Sequence, residues 1–485
     1  MKGIMSKPVT FGVIVGTRNI FNRDLAKRAR AEIQQVLTSI GINYVILPDN
    51  STPNGAVETV KDAIICANLL RTNQDIIDGI LVLLPNFGDE IGVLETIIRS
   101  RLNVPILIQA SNDENDKVDV RSRRDAFCGK ISVCNNLYQN GIKFTDTTYH
   151  TCDITSSEFI EDLKRFAAIC RTVKGLRNLR IGQIGTRPAA FRTVRYSEKL
   201  FQAAGITVEP VDMSDIFAVA ERIKESDPDF KEKLQTFNKY GKINVTISDE
   251  SIKKQVRFIL AVERWMEKNE LDASAIQCWD SILDNYGCAA CLSMSLMGEQ
   301  RIPSACEADI AGAVSMYALL LAGSSIPGFL DWNNNFGNEK DKCVCTHCSN
   351  FPKSFMGNEI EIGNLDVLST VRDQKRCFGA IKGHVQEGPM TFFRVSTDDT
   401  KGRIKGYVGE GFFTNDSYGM DGGIAVCKVP KLRKLLATIC TNGFEHHVAM
   451  ARGHFASILY EATSKYLGWT IYNHTENDSD TAVLL

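Results

Sequence analysis

At 485 residues the chain is long enough for about two to four domains. An apolar fraction of 44%, a charged fraction of 24% and a formal charge of −2 describe an ordinary soluble protein, and they argue against a nucleic-acid or membrane partner. No apolar run approaches a membrane span, the opening stretch is too short for a signal peptide, and fifteen cysteines scattered through apolar segments read as reduced thiols of a cytoplasmic protein.

Residues 1–150 alternate short β-rich runs with helical patterns. "VTFGVIVG" precedes a charged helix at Asn22 to Ser39, then "INYVILP", a helix near Val57 to Thr72, "GILVLLP", another helix and "NVPILIQA". Such alternation predicts parallel strands joined by crossover helices. A second start, "LRIGQIGTRPAAFRTVRYSEKLFQAAGITVEPVDM", repeats the order. Both starts carry Gly-Thr-Arg at the strand end, as Gly16-Thr17-Arg18 and Gly185-Thr186-Arg187, with Phe21 and Phe191 following. Neither has the close glycine spacing of a dinucleotide site, and the second opens its helix at Pro188. Later the texture changes to short strands split by glycine: "CFGAIKGHVQEG", "MTFFRVS", "GRIKGYVGEG" and "GGIAVCKV". The expectation is an α/β chain: two tandem Rossmann-like doubly wound domains over 1–172 and 173–355, then a β-rich, barrel-like domain over 356–485. That last domain carries a terminal helix in "GHFASILYEATSKYLG" and a final strand, "WTIYNH".

Polar groups gather in the second half. Glu307 opens a helix whose apolar face holds Ile310, Val314, Tyr317 and Leu321, and "SACE" also reads as a capping box with Ser304 as the cap. Asp309 reads as a first-turn charge favoured by the helix dipole. Asp331 follows the strand-like "IPGFL", where it is either a ligand-loop carboxylate or the start of an Asx turn with Asn333 or Asn334. "CVCTHC" suggests a zinc knuckle but lacks a second ligand pair, so buried cysteines around a functional His347 is the preferred reading. His446, His447 and His454 crowd into "GFEHHVAMARGH". Two carboxylates with one or two imidazoles suit manganese, cobalt or magnesium better than a closed zinc site.

These residues resemble the metal-dependent L-fucose isomerase and L-arabinose isomerase superfamily of aldose–ketose isomerases. Glu307 at a helix start, Asp331 two dozen residues on, and His447 followed by Gly453-His454 match the order of the fucose branch; His347 and the His446-His447 pair resemble features of the arabinose branch. The chain departs from both, with Asp331 where the arabinose branch has glutamate. The resemblance implies a divalent ion, most simply Mn2+, held by Glu307, Asp331, His347 and His447, with Glu307 and Asp331 also exchanging the proton of an ene-diol mechanism. It further implies a sugar substrate contacted by Arg18, Phe21, Arg187, Trp332, Asn333 and His446. A homo-oligomer, most simply a hexamer, would complete each site with the Arg18 loop of a neighbouring chain. Arg18, Arg187, Arg192 and Lys382 leave open an anionic hexose such as a sulfo-sugar, and a non-catalytic sugar-binding protein is the alternative from another class.

Overall fold

The computed structural model describes residues 8–22, 24–119, 122–348 and 350–474; the opening stretch 1–7, on which the reading of the leader rests, lies outside them. The chain divides into two compact units, one ending at Lys174 and the other running on from Gly175.

In the first unit strands β1 (Thr10–Val15), β2 (Asn43–Ile46), β3 (Gly79–Leu84), β4 (Ile106–Ala110) and β5 (Thr145–Asp146) form one sheet in the order β2-β1-β3-β4-β5. Every pairing is parallel. The residues of β1, β3 and β4 are buried throughout, which explains why they read as continuous apolar runs rather than alternating ones. Helix starts are marked as the sequence suggests. Thr59 and Asp62 make a capping box for the helix Val60–Thr72, and the Asp89 carboxylate accepts from Ile91 N and Gly92 N at the start of Glu90–Ser100. The strand order reverses between β1 and β3, so the loop after β1, which carries Arg18, leaves the sheet at a topological switch point.

The second unit opens with β6 (Arg180–Ile184), β7 (Thr207–Val211), the two-residue β8 (Lys242–Ile243), β9 (Ala273–Ile276) and β10 (Ser304–Cys306). Four of these make a parallel sheet in the order β10-β9-β6-β7. No helix starts at Pro188: Phe191 N donates to Pro188 O at 3.0 Å in a turn, and the next α-helix is Glu198–Ala203, capped by Ser197.

The remaining strands are β11 (Gly328–Phe336), β12 (Glu339–His347), β13 (Glu361–Asn364), β14 (Phe378–His384), β15 (Gly388–Asp398), β16 (Arg403–Thr414), β17 (Gly423–Lys428), β18 (His447–Arg452) and β19 (Thr470–His474). They join β8 in one sheet, and an extra β16–β17 pairing closes the circuit β16-β15-β18-β11-β12-β17 into a barrel. The barrel therefore draws on chain from Gly328 onward, ahead of the division at residue 355 that composition suggests. The helix Ile310–Gly323 packs on β9 on one side and on β15 and β18 on the other. Its residues from Ile310 to Ala322 are all buried, so it is a core helix joining the parallel sheet to the barrel. No helix among the described residues is long and apolar enough to cross a membrane.

Candidate active site

The site forms where β10 passes into that core helix. Glu307 and Ala308 both adopt left-handed backbone conformations, with φ of 61° and 53°. The expected capping box is absent. Ser304 continues the pairing of β10 with β9, its hydroxyl bonded to Ser274 Oγ at 2.8 Å, and the chain turns helical only after the two left-handed residues reverse it. The cap is Asp309, whose carboxylate accepts from Gly312 N at 2.8 Å. Gly312 is required there, because a Cβ would lie 2.4 Å from the ring of Phe329. Glu307 is thereby released from the helix and left at the carboxyl end of the parallel sheet, where ligand groups collect.

Asp331 is not in a loop and makes no Asx turn. It lies within β11, opposite His447 of β18 and Thr346 of β12, because "DWNNN" continues the antiparallel ladder through a bulge between Trp332 and Asn334. That register sets the carboxylate beside the imidazole. Trp332 donates its Nε1–H to Tyr407 OH at 2.9 Å, and Asn333 is exposed at the bulge.

Three polar atoms converge. His447 Nε2 lies 3.1 Å from Glu307 Oε2 and 3.6 Å from Asp331 Oδ1. All three atoms are buried, and none has a hydrogen-bond partner. Buried polar atoms left this way are costly unless a ligand takes them. The other imidazole nitrogen, Nδ1, lies 2.8 Å from Asp309 Oδ2. A carboxylate there holds the proton on Nδ1 and turns the Nε2 lone pair toward Glu307 and Asp331, the arrangement that prepares a histidine for a metal. Side chains here could hold a divalent cation: Glu307 with His347 and His447, and Asp331 with His446 and His447, are two groups whose ligand atoms lie within 4.8 Å of one another, and they share His447.

The electrostatics favour positive charge at this point. Burial works against the imidazolium of His447, yet the hydrogen-bonded Asp309 carboxylate and the neighbouring Glu307 carboxylate leave its pKa raised. Burial raises Asp331, with His347 and His447 pulling the other way. Asp309 is also buried, but the Arg394 guanidinium and His447 hold it far below the usual carboxylate range. His446 is pushed down to about 4 by burial and by the neighbouring His447, so it is neutral near pH 7.

His347 and His446 stand at the margin of the cluster. His347 Nε2 is 3.8 Å from Asp331 Oδ1, and the residue groups with Glu307 and His447 so that their ligand atoms all lie within 4.8 Å. Its Nδ1 accepts the Cys348 amide N–H at 2.8 Å. In the neutral ring the proton is then on Nε2, making His347 a donor toward Asp331 in that tautomer. His446 Nε2 is 3.9 Å from Asp331 Oδ1, and its ring packs edge-on against Phe191 at 5.8 Å.

Several contributors went unseen in the sequence. Asp309, read as a simple first-turn charge, is fully buried and accepts from the two terminal guanidinium nitrogens of Arg394, at 2.7 and 3.2 Å. Arg394 also donates to Glu445 Oε2 at 3.2 Å, and Ser396 Oγ donates to Glu445 Oε1 at 2.8 Å. The signal for Arg394 was present as a lone cation inside "TFFRVS". Phe329 lies edge-on to His447 at 4.9 Å and tilted against His347 at 5.4 Å, while Phe191 and Trp279 pack at 5.0 Å on the side of His446.

A cavity of about 990 Å3 borders the cluster through Ala308 and Glu445 and is lined by Arg187, Arg192, Arg195 and Lys405. Acidic side chains line it too. Asp398 pairs with Arg403 and Glu445 with Arg394, while Glu198 and Asp399 are exposed. Lys382 pairs with Asp366 and does not line this cavity. Arg18 and Phe21 belong to the first unit, where the Arg18 guanidinium stands 4.3 Å over the Phe87 ring and Phe21 stacks on the same ring at 5.9 Å. Buried Asn86 ties that loop by accepting from Arg18 N and donating to Thr17 Oγ1.

Comparison with known proteins bears on both ends of the chain. Residues 12–177 match the family model described as the fucose/sulfoquinovose isomerase N-terminal domain, and residues 345–474 match the L-fucose isomerase C-terminal domain. The chain is 28% identical over 240 residues to a sulfoquinovose isomerase of Priestia aryabhattai, covering 49% of this chain and 51% of that one, so it spans about half the length of that relative. It is 23% identical over 440 residues to a sulfoquinovose isomerase of Alkalicoccus urumqiensis, covering 89% of this chain and 92% of the relative. A protein of the same name from Clostridium sp. (strain MSTE9) is 23% identical over 300 residues, or 61% of this chain and 63% of the other.

Proposed function

The chain belongs to the fucose-isomerase-like superfamily, and from that premise we propose that it is a metal-dependent aldose–ketose isomerase acting on an anionic hexose of the sulfo-sugar type. The observation that carries the reading is the convergence of Glu307 Oε2, Asp331 Oδ1 and His447 Nε2 as buried atoms without hydrogen-bond partners. A sugar-binding protein needs no such cluster.

Isomerisation breaks the C2–H bond of the aldose and forms a C1–H bond in the ketose, while one hydroxyl proton moves from O2 to O1. A divalent cation, for which manganese, cobalt and magnesium suit this donor set, would polarise the carbonyl and offset charge on the developing oxyanion. Glu307 and Asp331 act as base and acid for the carbon-bound proton through an ene-diol. Asp309 and Arg394 hold His447 in place behind them, Asn333 and His446 supply polar groups toward the sugar, and Trp332, whose Nε1–H is taken by Tyr407 OH, offers its ring. Phe191 and Trp279 exclude water from the side of His446.

The anionic substrate is supported by the names of the relatives and by the loop from Arg187 to Arg195. Its Phe191 packs against His446 and His447, which sets Arg187 and Arg192 at the edge of the cluster. The test is a comparison of sulfoquinovose with fucose. Sulfoquinovose should be the better substrate, and Arg187→Ala should raise its KM roughly tenfold, the ~1.4 kcal/mol of one charge-assisted bond, with little effect on a neutral sugar. Equal losses on both sugars would sink the sulfonate assignment and leave the isomerase reading intact.

The Arg18 loop enters the same proposal as the part donated by a neighbouring chain in a closed homo-oligomer, most simply a hexamer. Mixing an Arg18→Ala protein with a Glu307→Gln protein should recover part of the activity that each lacks. A dead mixture after demonstrated subunit exchange would exclude a shared site.

A further inference from the structure

Beside the carboxylate cluster lies a second group of ligating side chains with no part in the proton transfer. Cys306, His347 and Cys348 offer ligand atoms that all lie within 4.8 Å of one another. The Cys278 thiol interacts with those of Cys306 and Cys348. The four come from separate places in the chain. Cys278 follows β9, Cys306 ends β10, His347 ends β12 and Cys348 comes next. Cys278, Cys306 and His347 are 1%, 0% and 6% exposed, and none of the three cysteines is in a disulfide. Cys278 and Cys306 thus bring to "CVCTHC" two further thiols from parts of the chain remote in sequence. Cys343 and Cys345 contact each other instead, at 3.7 Å, and Cys343 also reaches Cys427 O.

We propose that Cys278, Cys306, Cys348 and His347 form a binding site for one thiophilic d10 cation, zinc by preference, distinct from the ion of Glu307, Asp331 and His447. Three thiolates and one imidazole are a recognised tetrahedral zinc set. Bonds of about 2.3 Å to sulfur place such ligands about 3.7 Å apart, so the 4.8 Å limit on Cys306, His347 and Cys348 closes with small side-chain rotations, and Cys278, outside that group, joins as the fourth ligand through its thiol contacts with Cys306 and Cys348. The two sites differ in softness: oxygen donors dominate one and sulfur the other, so manganese or magnesium and zinc sort between them. They meet at Glu307, whose Oε2 faces His447 while its Oε1 is 3.9 Å from Cys348 Sγ. A cation held by Cys306 and Cys348 clamps the left-handed Glu307–Ala308 turn from behind, and it commits His347 to the sulfur site through Nδ1, which exchanges the Cys348 amide for the cation and leaves the Nε2 proton toward Asp331.

The test is a Co2+ titration of the full-length protein after reduction and removal of metal, read by absorbance rather than activity. A near-ultraviolet thiolate-to-cobalt band should saturate by about two added equivalents, the oxygen site taking the other ion, at the intensity of one thiolate-bound ion per chain, and be displaced by zinc. Cys306→Ser and Cys348→Ser should each reduce it several-fold, and Cys343→Ser should leave it unchanged. Absence of the band in the wild-type protein overturns the proposal without recourse to any variant. So does a band that survives in both the Cys306 and Cys348 variants. Neither result touches the isomerase reading, which stands or falls on turnover.

Discussion

Glu307→Gln should lower turnover by about 10²–10⁴-fold, the range for losing a positioned acid–base group, while the unfolding midpoint stays near that of the wild type. Glutamine keeps the length and one carbonyl oxygen but cannot accept the substrate proton. Its fold should hold because Glu307 caps nothing: Asp309 receives the helix amide, and Glu307 Oε2 has no hydrogen-bond partner to lose. Activity retained in this variant would make Glu307 a structural residue of its turn and would remove the acid–base pair from the mechanism.

Arg394→Met should cost about 3–5 kcal/mol of stability, because it leaves Asp309 and Glu445 buried without their cation. Arg394 and Asp309 are each fully enclosed, so water cannot replace the lost contacts. Activity should also fall by about 10–100-fold in the fraction that remains folded, since Asp309 then ceases to orient His447 Nδ1. Denaturant unfolding and turnover, measured on the same preparation, separate the two effects. A variant as stable as the wild type would mean that the network is solvated in solution.

The fold was legible wherever burial follows a simple period. The continuous apolar runs of β1, β3 and β4 announce a covered parallel sheet, and the glycine-split runs after residue 375 announce the barrel strands. The edge of the barrel was obscured because β11 carries the polar run Asp331 to Asn335, which reads as a loop but pairs through a bulge. For the same reason Asp331 could be named from the family order, whereas its partner could not: the register that sets it opposite His447 is a long-range choice. Asp309 was passed over because local spacing makes "SACE" look like a capping box, and only the sheet pairing of Ser304 overrides it. Arg394 shows the limit most plainly. Its burial depends on two acids, Asp309 and Glu445, that lie 85 and 51 residues away, and no window of sequence contains all three.

The central claim, a divalent ion held by Glu307, Asp331 and His447 and required for sugar isomerisation, is tested most directly by metal removal and return. Protein treated with a chelator and dialysed should be inactive on sulfoquinovose, and Mn2+ should restore turnover at about one bound ion per chain. The same addition should do nothing for a His447→Ala protein. Full turnover by protein shown to be free of metal would contradict the account.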